Sequence, residues 1–162
     1  MGGGYRGERR SYAAGRDSDA ASAYDADRGS SLDNYTRPRV FISFHVEDEA
    51  MIDLLRSQAK TSDKLEFTDY SVKEPFDEKW KTQCTERIKQ SKVFICAIGE
   101  YTASREAVKW EINKAYELGK PVFGVRLHSD KNHRIPQAMR DQGAKILPWK
   151  LDAIQAELDR LQ

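Results

Sequence analysis

Val93-Phe94-Ile95-Cys96-Ala97-Ile98 is the most apolar segment of the chain, bounded by Ser91-Lys92 before it and Gly99 after it. The run is too short for a stable helix, carries β-branched residues at 93, 95 and 98, and is polar on neither side. A strand buried on both faces of a sheet has this texture. It predicts a central parallel strand with Cys96 inside it. Val40-Phe41-Ile42-Ser43-Phe44 reads the same way and is expected to be strand one.

Outward from these two strands the chain alternates. Glu49 to about Ala59 predicts a helix with Met51, Ile52, Leu55 and Ala59 inward and acids at its start, where the helix dipole favours them. Leu65 to Asp69 is a more polar strand, suited to a sheet edge. After the loop Tyr70 to Phe76, Asp77 is expected to cap a helix whose Trp80, Cys84 and Ile88 make a narrow buried stripe. Ser104 is expected to cap a helix running to Leu118, stopped by Gly119 and Pro121. Pro121 to Leu127 gives strand four, followed by a polar loop through His133 and a short turn or helix after Pro136. Lys145 to Leu147 gives strand five, and Asp152 caps a last helix with Ile154, Leu158 and Leu161 inward.

Alternating strands and helices joined by right-handed crossovers imply a parallel sheet covered on both faces. The expectation is an α/β, flavodoxin-like three-layer sandwich with five parallel strands in the order 2-1-3-4-5. The ligand crevice of such a sheet lies beyond the carboxyl ends of strands one and three, where the order reverses. Here that is Ser43-Phe44-His45, the loop from Gly99 to Ser104, and the first turns of the next helix.

Composition limits the alternatives. Within the 162 residues, 27 Lys and Arg face 26 Asp and Glu, so no global field draws the chain to nucleic acid or anionic lipid. Residues 1–36 hold only Met1 and Leu32 as large aliphatics, so they are read as a disordered tail and 37–162 as the domain. The scattered tyrosines of that tail, Tyr5, Tyr12, Tyr24 and Tyr35, are read as part of a solvated leader. Cys84 and Cys96 form no disulfide framework or zinc spacing, and both are expected to be buried and inert. With no apolar run near the roughly 20 residues a span requires and no signal-peptide block, a cytoplasmic location is expected.

Several tenants of this fold lack their side chains. A phosphoacceptor receiver needs acids right after strand one and an Asp ending strand three, where this chain has Phe44-His45 and Gly99. A flavin phosphate loop is incompatible with Val46-Glu47-Asp48-Glu49, and no Gly-rich dinucleotide or Walker loop occurs. On the helix after strand three, Val108, Ile112, Ala115 and Tyr116 form the apolar stripe and Glu111 falls on its edge beside Ala107, Ala115 and Leu118. Two readings stand: Glu111 leans into the crevice, or its carboxylate snorkels outward to Lys114. His45, at the sheet's carboxyl edge, is either a ligand contact or a capping group. Asp69 and Tyr70 open a loop that can fold over the crevice, or simply pack at the edge. His128 and His133 read as solvated loop residues, and Trp110, on the polar face, reads as packed under a loop or as a self-association surface.

The stretches Arg39-Val40-Phe41-Ile42-Ser43-Phe44-His45, Ile98-Gly99-Glu100-Tyr101-Thr102, Val108-Lys109-Trp110-Glu111-Ile112 and Gly119-Lys120-Pro121-Val122 together resemble the bacterial TIR-like family that includes the TIR-like component of Thoeris antiphage defence. The resemblance covers about residues 37–150. It implies cleavage of the nicotinamide–ribose bond of NAD, which is substrate rather than cofactor, often with cyclisation of the ADP-ribose product into a messenger read by a downstream effector. It puts the catalytic glutamate at Glu111, the assembly loop at Tyr70 to Phe76, and Ser43, Phe44 and His45 along the cleft, with Asp69 and Tyr70 at its rim. Self-association through TIR-like surfaces is a further expectation, with neither metal, nucleic acid nor membrane as partner. Ala107 departs from the aromatic residue that many TIR enzymes carry four positions before the glutamate. A non-catalytic scaffold and a nucleoside deoxyribosyltransferase-like enzyme are the alternatives.

Overall fold

The computed structural model describes residues 37–61, 68–69 and 79–161. β1 (Arg39–Ser43), β3 (Val93–Ile98), β4 (Val122–Arg126) and β5 (Lys145–Pro148) form a parallel sheet. The two-residue β2 (Thr68–Asp69) adds parallel to β1, with Arg39 opposite Thr68 and Val40 opposite Asp69, so the strands run β2-β1-β3-β4-β5. Five helices accompany them among the described residues: α1 (Glu49–Thr61), α2 (Trp80–Gln90), α3 (Glu106–Glu117), α4 (Gln137–Asp141) and α5 (Leu151–Arg160). The arrangement is an α/β sandwich consistent with a flavodoxin-like fold.

Strand alternation divides the core in two. Val40, Ile42 and Phe44 point to the layer of α1 and α5, with Ile52, Leu55, Ile154 and Leu158. Phe41, Phe94, Cys96 and Ile98 point to the opposite layer, with Cys84, Ile88, Val108, Ile112 and Met139. All six residues of β3 are buried, which accounts for the apolar run that marks it in sequence. Phe41 and Phe94 stack at 5.4 Å between centroids, so adjacent strands are tied by side chains as well as by backbone bonds. Each such fully buried large side chain contributes about 1.5–3 kcal/mol of burial, so a charge at Ile95 would break the sheet's centre.

Three caps differ from expectation. Lys79 precedes α2 without a side-chain cap bond, and Asp77 lies outside the described residues. Ser104 ends a 3-10 turn (Thr102–Ser104) and bonds back to the Tyr101 carbonyl, so Arg105 takes the position before α3. Lys150 precedes α5, and Asp152 lies in its first turn. At α3 and α5 the chain enters the helix from a tight connection whose geometry outweighs the propensity of one polar side chain. The expected C-terminal stop of α3 is present: Gly119 adopts a φ of +69°, and Lys120 donates its N–H to the Ala115 carbonyl.

Candidate active site at the carboxyl edge of the sheet

Ser43 ends β1 opposite Cys96 of β3. It lies two residues after Phe41, so the strand period turns it to the layer of α2 and α3. Glu111 belongs to the buried face of α3 with Val108, Ile112 and Ala115 and is 8% exposed. The reading in which it reaches outward to Lys114 is therefore overturned: Lys114 pairs with Glu117 at 2.9 Å. Both carboxylate oxygens of Glu111 are engaged from within. Ser43 Oγ donates to Oε2, and Cys84 Sγ donates to Oε1 at 3.7 Å.

Burial pushes Glu111 up to about 7, against the opposing pull of the Ser43 and Cys84 hydrogen bonds and the Arg105 charge. Its protonated and ionised forms are thus close in free energy near neutrality, the condition in which a carboxyl can exchange a proton or hold a charge. The Cys84 thiol is pushed up by burial and by the Glu111 charge, so it remains a donor. Burial likewise raises Cys96, with the Glu111 charge adding to it. Both thiols are buried as expected, but Cys84 is more than packing, since it holds the glutamate.

A second group gathers at the same edge. His45 Nδ1 accepts the Glu47 N–H at 3.2 Å and caps the 3-10 turn Val46–Asp48, so a neutral His45 ring carries its proton on Nε2. Its ring lies 5.5 Å from that of Tyr101, tilted by 48°. Asp48 is 9% exposed, and its Oδ2 is buried with no hydrogen-bond partner. Burial raises its pKa while His45, His128 and His133 pull it down. His128 and His133 meet edge to face at 5.3 Å. The solvated-loop reading of these two is corrected: both are partly buried, and they bring imidazoles from the loop after β4 towards the turn after β1.

The other expected site residues go elsewhere. Phe44 faces the α1 layer, with the Arg56 guanidinium 5.6 Å above its ring, away from the layer that holds Glu111. Of Asp69 only the strand position is described, and Tyr70 with the loop to Phe76 lies outside the described residues. Trp110 packs edge on against Trp80 of α2 at 5.0 Å, with Lys81 and Lys114 over its ring, so its partner is a helix rather than a loop. Cys84, Asp48 and Tyr101 were missed in sequence. The acidic stretch Glu47-Asp48-Glu49, a few residues past the end of β1, was the available signal for Asp48, whereas nothing linear connects Cys84 to Glu111.

The sequence model of a family described as the Thoeris protein ThsB, TIR-like domain, matches residues 41–132. The match runs from within β1 to the loop after β4 and contains Ser43, Cys84 and Glu111. A search of curated proteins found no match.

Proposed function

The chain belongs to the TIR-like domain family of the Thoeris protein ThsB, and from that premise we propose that it processes NAD, cleaving the nicotinamide–ribose bond with Glu111 as the catalytic carboxylate. The observation that carries this reading is a buried glutamate at the carboxyl edge of the sheet, gripped on both oxygens by Ser43 and Cys84 and pushed up to about 7.

In the proposed step the bond between ribose C1′ and the nicotinamide nitrogen breaks, and its electron pair leaves with nicotinamide. That ring begins as a cation and departs neutral, so no acid has to protonate it. Positive charge develops at C1′, where an ionised Glu111 stabilises it or holds the ribose hydroxyls, as carboxylates do in glycoside cleavage. Water completes hydrolysis by adding to C1′ and releasing a proton. A nucleophile within the ADP-ribose itself would instead close a cyclic messenger. Ser43 and Cys84 fix the carboxylate so that it need not reorient as charge develops.

Chromatography of NAD incubated with the wild type and with Glu111→Gln, over a range of protein concentrations and with infected-cell lysate as a trigger, tests this. Nicotinamide release by the wild type and a loss of roughly a hundredfold or more in the variant are expected. Equal turnover by both would remove Glu111 from the mechanism. No turnover by either under any condition would leave a TIR-like scaffold.

A further inference from the structure

At the amino edge of the sheet, the end of the molecule away from the carboxyl edge, the starts of β4 and β5 and the end of α5 enclose an open groove of about 310 Å3. Val122, Ala144 and Leu161 line it and are only partly buried, so each keeps apolar surface open to the groove. Lys145 and Arg160 line it as well, with side chains 55% and 61% exposed, around the single buried carboxylate of Glu157. Two cations around one acid leave positive charge in excess. Glu157 also takes only part of their donors, receiving Nε and Nη2 of Arg160 and one N–H of Lys145. An apolar floor with a cationic rim suits an aromatic side chain carried among acids.

The chain before Arg37 holds one stretch of that kind. Between Arg16 and Arg28 lie Asp17, Asp19, Tyr24, Asp25 and Asp27, with no basic residue among them. The other tyrosines of this segment do not match. Tyr5 adjoins Arg6, and Tyr12 follows Arg9 and Arg10, so both carry the sign of the groove. Tyr35 is four residues before Arg39, a reach of about 13 Å at about 3.3 Å per residue, which leaves no slack for turning into the groove. The groove itself lies two to three strand spacings from β1, about 10–15 Å across the sheet. Tyr24 is fifteen residues before Arg39, a reach of about 50 Å, and Arg39 opens β1 at this same amino edge.

We propose that Tyr24, flanked by Asp25 and Asp27, docks in this groove of its own chain, its ring on the apolar floor and the acids against Lys145 and Arg160. Attachment to β1 supplies an effective concentration of order 1 mM, so a contact with an intrinsic Kd near that value is about half occupied. The amino edge is then a face that the chain's own N-terminal segment covers and uncovers. Because Glu111 is at the other edge, this docking stands or falls independently of the NAD reading.

Amide NMR spectra of the full chain test it. Tyr24→Ala should shift the signals of Gly143, Ala144, Lys145 and Leu161 and leave those of Gly99 and Thr102, at the carboxyl edge, in place. Asp25→Asn combined with Asp27→Asn should move the groove signals the same way by a smaller amount, as a docking weakened about fivefold requires. A peptide of residues 17–27 added in excess to Tyr24→Ala should return the signals to their wild-type positions, with a Kd of order 1 mM. Groove signals that do not move in Tyr24→Ala, or that the peptide does not return, overturn the proposal. Isotope-labelled Tyr24→Ala mixed with unlabelled wild type at about 0.1 mM each should recover no more than about a tenth of the shift. Full recovery in that mixture would place the segment on a second copy and overturn docking within one chain.

Discussion

Ser43 and Glu111 are 68 residues apart in sequence, yet the serine hydroxyl at the end of β1 donates directly to the glutamate carboxylate on α3. The bond joins strand one to the helix after strand three, across the point where the order of the sheet reverses. Everything proposed for the glutamate depends on how this contact and its thiol counterpart set the carboxylate's charge.

Removing either donor should move the pH dependence of turnover in a known direction. Ser43→Ala deletes a hydrogen bond to the charged form, of a kind worth about 1.5–3 kcal/mol, so the Glu111 midpoint rises and the rate at pH 7 falls roughly tenfold or more. Cys84→Ala deletes a longer sulfur contact and should shift the midpoint the same way by less, while Cys84→Ser retains a donor and recovers most of the difference. Rate against pH for the three variants is the measurement. A purely structural role would lower the whole profile without moving its midpoint.

For the wild type, turnover that needs ionised Glu111 should rise with pH through about 7, the value to which burial pushes this carboxyl. Glu111→Gln should lose that limb of the profile along with the activity. A profile that is flat from pH 5 to 9 in the wild type would speak against the carboxylate as the reacting form.

The same shift has a cost in stability. The carboxyl goes from an ordinary 4.5 to about 7 on folding, so the folded protein binds the proton more tightly than the unfolded chain. Stability is therefore greatest below about 4.5 as far as this group is concerned, and it declines as pH rises through 7. The decline is of order 3 kcal/mol. Glu111→Gln should melt higher than the wild type at pH 8, and the gain should shrink as pH approaches 4.5. Thermal melts at several pH values decide it.

Gly99→Ala should destabilise the domain by about 1–3 kcal/mol, because the added methyl meets the Asp48 carboxylate, which is packed in place. Pairing it with Asp48→Ala should recover part of the loss. Melting temperatures of the two single variants and the double variant provide the check.

At the opposite end of the molecule, Glu157 of α5 is buried and bound by Arg160 and by Lys145 of β5, the latter at 2.8 Å. These partners, the Arg160 hydrogen bond foremost, hold its carboxyl down to about 2. The stabilisation is present above the ordinary 4.5 and disappears as pH falls through about 2. Both cations are largely exposed, so solvent screening reduces it to about 1–2 kcal/mol. Glu157→Gln should lower the melting temperature at pH 7 and match the wild type near pH 2.

By itself the sequence determined the alternation of β1, α1, α2, β3, α3, β4, β5 and α5, because burial on both faces leaves an unbroken apolar run such as Val93 to Ile98, while one-sided burial leaves a helical stripe such as Val108, Ile112 and Ala115. It also placed Glu111 on the edge of such a stripe and His45 at a strand's end. Edge position left the direction of the carboxylate open, since a glutamate there can reach water or the interior. Only the tertiary structure decided that it turns inward, because the available partners, Ser43 and Cys84, come from two other elements, and Lys114 is taken by Glu117. The same holds for Asp48, which meets imidazoles from the loop after β4 and the backbone of Gly99 after β3. Linear periodicity reports which face of an element is buried. Which residues of other elements meet it there is set by strand register and helix packing, and neither is written in any one segment.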